Sequence, residues 1–240
     1  MSDGTMTSEA VSALSQADLS RVVRRIPSDI RKIMQAKPGV FVAGGFVRAV
    51  IAGEKVNDID MFGPSVAVLS DAANTLKRDR ENTRLHRTKN ATTVISLGRT
   101  PIQFIHRWTF GDIQSCVASF DYTVCQAAIG VRDGKFVSVC HRDFYQHLAA
   151  RVLVYTRPVR EEEAGGSLLR AIKYVQRGYH LPVNTLAAVT ERLVSAYEQG
   201  SPVPREQVLR GLLREVDPNL AIDGLDVHDD HETPIEGLDE

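Results

Sequence analysis

Long hydrophobic runs are missing from this sequence. No window approaches the roughly 18 consecutive apolar residues of a membrane-spanning helix, so no membrane partner is expected. Cysteine is scarce: Cys116, Cys125 and Cys140 are odd in number and fit no zinc-ligand spacing. That excludes a disulfide framework and points to a reducing, cytoplasmic setting. Residues 1–16 have neither the basic start nor the apolar centre of a secretory signal, and read as a disordered N-terminus. Basic residues vanish at the other end. From Asp217 onward there are nine acids (Asp217, Asp223, Asp226, Asp229, Asp230, Glu232, Glu236, Asp239, Glu240) and no Lys or Arg. Without them the net charge of -1 becomes +8 over residues 1–216. A basic body with an acidic, disordered tail at 217–240 fits an anionic partner. The rest is an ordinary globular composition, 43% hydrophobic and 25% charged in 240 residues.

Leu19, Val22, Val23 and Ile26 recur at helical spacing, and Pro27 separates that helix from a second one through Ile30 and Ile33. Residues 39–43 read as a strand, Gly44-Gly45 as a turn, the stretch to Ala52 as a short helix and 56–62 as the next strand. A helix is expected over 65–78. Strands at 92–97 and 101–108 are joined by Gly98-Arg99-Thr100, and a helix covers 111–118. Asp133-Gly134 marks another hairpin, because that pair suits a turn with positive φ. Beyond Tyr155 the pattern is helical only, at 166–177, 184–198 and 205–215. The order predicts an α+β fold: a mixed sheet with flanking helices over 17–155, then a small helical domain over 156–216.

One stretch carries chemistry. Residues 40–63 read VFVAGGFVRAVIAGEKVNDIDMFG. Asp58 and Asp60 lie two apart on an expected strand, so both leave the same face while Ile59 points to the core. Two carboxylates on one face suit hard divalent cations and the two-metal chemistry of phosphoryl transfer. Gly44-Gly45 opens a helix, and backbone N–H groups at a helix N-terminus suit a phosphate that larger side chains would block. Arg48 lies one turn into that helix, placed for a charge-assisted contact. The segment KRDRENTRLHRTK at 77–89 has six Lys/Arg against two acids, a candidate track for an RNA backbone beside the sheet.

This pattern resembles the signature of the DNA polymerase β superfamily of nucleotidyltransferases. GGFVRA…NDIDMF is similar to the GGxVRD…DID of bacterial-type tRNA nucleotidyltransferases (CCA-adding enzymes) and bacterial poly(A) polymerases. DYTVCQAA at 121–128 resembles that family's RRDFTINALA segment, LLRAIKYVQRGYHLP at 168–182 its neck helix LRAxRFAxxLGF, and NTLAAVTERL the helix that follows. The likeness covers roughly residues 38–215 and lacks the long helical body of the full enzymes, so a reduced, specialised member is expected. It implies a polymerase β-like head and a helical neck. Asp58 and Asp60 would hold two magnesium ions. Gly44, Gly45 and Arg48 would contact an incoming NTP, with Asp121, Arg170 and Arg177 nearby. A hydroxyl at an RNA 3′ end would attack the α-phosphate and release pyrophosphate.

Four departures stand out. Ala49 replaces the aspartate after VR, Ser119-Phe120 the arginine pair, and Cys125 the asparagine of TIN. Gln103 stands where many superfamily members carry a third carboxylate, which bears on the metal count and on activity. Two further readings stay open: transfer to a protein or small-molecule hydroxyl, as in toxin-like relatives, and a non-catalytic RNA- or nucleotide-binding module.

Overall fold

The computed structural model describes residues 11–158 and 165–198. Residues 1–10, the expected helix at 205–215 and the acidic tail lie outside them. Eight strands form one sheet: β1 (Val11–Ser12), β2 (Phe41–Ala43), β3 (Ile59–Phe62), β4 (Thr83–Arg87), β5 (Ala91–Ser96), β6 (Ile102–Ile105), β7 (Ala127–Arg132) and β8 (Lys135–His141). Their order across the sheet is β1-β8-β7-β2-β3-β6-β5-β4. Only β3 and β6 run parallel. The connection between them passes through α4 (Val66–Asp79) and the hairpin of β4 and β5.

Each face of the sheet has its own core, because the side chains alternate. Ile59 and Met61 of β3 and Val42 of β2 join the larger core beneath α1 (Gln16–Arg25), α2 (Ser28–Ala36), α3 (Gly45–Ala52) and α4. Phe41, Ala43 and Phe62 point the other way, against Cys116 and Val117 of α5 (Ile113–Ala118). Caps set the helix starts: Ser15 Oγ accepts from Asp18 N–H, Ser65 Oγ from Val68 N–H and Asp112 Oδ1 from Ser115 N–H. α6 (Phe144–Ala149), α7 (Gly166–Gln176) and α8 (Val183–Glu198) complete the described elements. Among the described residues, no helix is long and apolar enough to cross a membrane.

The structure corrects several boundaries. Residues 11–16 are folded: β1 pairs with β8, Leu14 is buried, and Ser138 Oγ accepts from the Leu14 N–H at 3.0 Å. The strand expected at 56–62 begins at Ile59. In the helical segment after Tyr155, Ala171, Tyr174, Tyr179 and Val189 share the larger core with α3 and the sheet. The basic run at 77–89 holds the edge strand β4. Its Arg80 is buried against Asp29, with Nε to Oδ2 at 2.8 Å, and Arg87 donates to Asn74 Oδ1. Those two arginines secure the sheet, while Arg84 and Lys89 remain exposed.

Candidate active site

Three strand ends build the site. Gly44 closes β2 with φ 77° and ψ −130°, a conformation open to glycine and strained for any residue with a Cβ. Its N–H donates to Ala127 O at 2.9 Å, which ties the turn to β7. A Cβ on Gly44 would meet the Phe120 ring at 3.0 Å, whereas one on Gly45 meets nothing within 4 Å. Gly45 is therefore dispensable for packing inside the protein, yet it is the first residue of α3, where N–H groups have no intrahelical acceptor. The antiparallel pairing Phe41↔Phe62 and Val42↔Met61, continued one step, sets Ala43 opposite Asp60. The glycine turn and the aspartate pair thus meet at one end of the sheet.

The two glycines predict contrasting outcomes. Gly44→Ala is expected to cost about 2 kcal/mol, from strained backbone and the Phe120 contact, and so to lower the melting temperature by about 4–8 °C. Gly45→Ala is expected to leave the melting temperature nearly unchanged and to weaken triphosphate binding by about tenfold, because its methyl group fills the space where a phosphate would approach helix α3. Calorimetric melting and nucleotide titration of the two variants check this.

Ile59 is buried in β3, and Asp60 and Asp58 on either side of it are half-buried. Burial, then the Asp58 carboxylate, pushes the Asp60 carboxyl far above the usual range, to about 8. Unfolded, the group titrates near 3.8. Between those values the folded protein binds a proton that the unfolded chain lacks, so stability falls as pH rises through the window. With divalent metal removed by chelation, the melting temperature is expected to be higher at about pH 5 than at about pH 9. Asp60→Asn is expected to flatten that contribution. A melting series of both proteins across pH measures it.

A cation suits this pair: two hard oxygen ligands stand where negative charge is costly. The next residue on the same face is Gln103, in direct register with Asp60 across the parallel β3–β6 pair. Thr93 of β5 lies beyond Gln103. Among the described residues, no group of three or more His, Cys, Asp or Glu is placed to hold a metal ion.

The other expected nucleotide contacts each have protein partners. Arg48 is only 2% exposed. Its guanidinium lies 4.7 Å from the Tyr174 ring centroid and 5.9 Å from that of Tyr179, and its Nε is 3.3 Å from Glu54 Oε2. Burial works against its charge, but Tyr174, Cys125, Tyr179 and Glu54 outweigh it and raise the pKa. Asp121, 3% exposed, is paired to Arg170 with Nε to Oδ2 at 2.6 Å. One residue on, Tyr122 donates its hydroxyl to Ser167 O at 2.6 Å. Cys125 Sγ and Tyr174 Oη are 2.6 Å apart. Ser167, Arg170 and Tyr174 form one stripe of α7, and Tyr122, Asp121 and Arg48 pack against it. Arg177, at the end of α7, is exposed, 5.8 Å from the Tyr174 ring centroid. Sequence reasoning missed the part of Phe120, which packs over Gly44 and edge-on against Phe62 at 5.9 Å. Its signal was an aromatic residue where the resemblance has arginine.

The fold has known counterparts. The Thermotoga maritima CCA-adding enzyme complexed with tRNA shares 21% identity, with a TM-score of 0.56 over 88% of this chain and 52% of its own. A CCA-adding enzyme in complex with ATP also shares 21%, with a TM-score of 0.59 over 88% of this chain and 51% of that one. The fold is thus the polymerase β-like nucleotidyltransferase fold. In sequence, "Gabija anti-defense 2" of Bacillus phage SPbetaL7 is 26% identical over 165 residues, covering 66% of this chain and 39% of the relative. The chain therefore spans about two fifths of that relative's length. Residues 13–151, which hold the glycine turn and the aspartate pair, match the family described as Gabija anti-defense 2 family protein, and the chain belongs to that family.

Proposed function

We propose that this protein is a magnesium-dependent nucleotidyltransferase that moves a nucleoside monophosphate from an NTP to an RNA 3′ hydroxyl. The observation that carries the reading is the meeting of an unobstructed helix N-terminus at Gly45 with the Asp58/Asp60 pair. Asp58 and Asp60 would hold magnesium, which neutralises charge on the triphosphate when bound. The N–H groups that open α3 would hold phosphate oxygens, and the Gly44 turn would fix their direction. The acceptor oxygen forms a bond to the α-phosphorus, the bond to the β-phosphate oxygen breaks, pyrophosphate leaves, and the hydroxyl proton is lost to solvent. Most of the catalytic effect in such a reaction is positioning and charge stabilisation, so few residues suffice.

A second reading keeps the chemistry and places the acceptor hydroxyl on a protein. The name of the phage relative, "Gabija anti-defense 2", supports it: attaching a nucleotide to a protein would be one way for such a chain to act against a defense. Incubation with each α-³²P-labelled NTP, magnesium and cell lysate separates the two. Label on RNA is the expected result, and label on a polypeptide alone would move the acceptor to protein. Labelled product in neither fraction, with any of the four nucleotides, would count against both.

A further inference from the structure

The face that carries Asp60 continues across three more strands. Asp60 pairs with Gln103, Gln103 with Thr93, and Thr93 with His86, so these four side chains form one row from β3 to the edge strand β4. Strand neighbours are about 4.8 Å apart, and paired cations in phosphoryl-transfer sites are about 3.5–4 Å apart. A second cation on the β6 side of Asp60 would therefore meet the side chain of Gln103 first. Gln103 offers it a neutral amide, and Thr93 behind it a neutral hydroxyl.

The two cations of such a site do not have equal resources. One arrives on the triphosphate, whose oxygens supply several of the six ligands magnesium requires. The other depends on the acceptor, water and the protein. It must also sit beside a first dication, where repulsion is offset only by anionic ligands. Asp58 and Asp60 are already shared with the first ion, and no third acid joins them among the described residues.

We infer that this chain holds one divalent cation, the one that comes with the nucleotide, and that Gln103 sets that number. The inference rests on the reading of Asp58 and Asp60 as the metal-holding pair. It makes Gln103 the residue that separates this site from a two-ion site, and it leaves the acceptor to enter with no second ion already bound.

Equilibrium dialysis of the full chain tests this without any turnover. Manganese is dialysed with each of the four α,β-methylene nucleoside triphosphates in parallel, and ions and nucleotide held in excess by the protein are counted. Wild type is expected to hold one ion per bound nucleotide. Gln103→Glu is expected to hold two, with the added ion bound at least about tenfold more tightly than any second ion in wild type, whereas Gln103→Asn keeps one. Two ions in wild type would overturn the inference and leave the proposed function standing. One ion in a folded Gln103→Glu would overturn the role given to Gln103. No metal-dependent nucleotide binding in wild type would remove the proposed function, and the inference with it.

Discussion

Asp58→Asn and Asp60→Asn are each expected to lower nucleotidyl transfer by about 10³-fold, the scale on which loss of one group aimed at transition-state charge is felt. The structure gives a second expectation that a merely structural residue would not share. Asp60 is half-buried beside Asp58, and burial with like charge raises its pKa to about 8. Above that pH the ionised carboxylate is a cost to the fold, so Asp60→Asn in metal-free buffer is expected to raise the melting temperature while transfer collapses. Residues kept at the expense of stability are a mark of function. Single-turnover rates and melting curves on the same preparations decide the matter. A variant that loses transfer and stability together would show that Asp60 holds the fold, and the assignment of the pair as a metal site would fall.

The local geometry of the candidate site was legible where residue identity and spacing decide it. A glycine with φ of 77° can be read from Gly-Gly after an apolar strand, and the alternation of Ile59 and Met61 with Asp60 announces a strand with Ile59 turned to the core. The strand order was less accessible, but the hairpins at Gly98 and Asp133-Gly134 formed as their turn residues require. Charged side chains were read less well. Arg48, Asp121 and Arg170 all carry the charge that a nucleotide would use, and nothing local says that Tyr174 and Tyr179 will close over Arg48. Arg80 looked like part of a basic surface because its partner, Asp29, lies 51 residues earlier. Whether a charge faces solvent or a buried partner is decided by tertiary packing. The edge strand β4 was hidden for the same reason: its pattern of inward Thr83, Leu85 and Arg87 is visible only once Ser96, the core and Asn74 are in place.

Arg170→Leu is expected to destabilise the protein by about 3 kcal/mol, the usual cost of leaving a buried charge without its partner. The asymmetry of the pair sets which variant suffers more. Asp121 is 3% exposed and Arg170 28%, so removing the arginine strands a carboxylate that water does not reach. Asp121→Asn leaves an arginine with partial access to solvent and a neutral amide in the buried position, and should cost less. For a chain of this length about 3 kcal/mol corresponds to a fall in melting temperature of roughly 6–12 °C. The double variant, Asp121→Asn with Arg170→Leu, is expected to recover part of that loss, since no uncompensated charge stays behind. Recovery in the double-mutant cycle would confirm that the pair fixes α7 to the segment around Asp121. If Arg170→Leu instead melts like wild type and loses only nucleotide affinity, the pair opens in solution, and Arg170 returns to the triphosphate as a ligand. The stripe of Ser167, Arg170 and Tyr174 makes the first outcome the expected one, because Tyr122, Asp121 and Arg48 engage the same face of α7 at three successive turns.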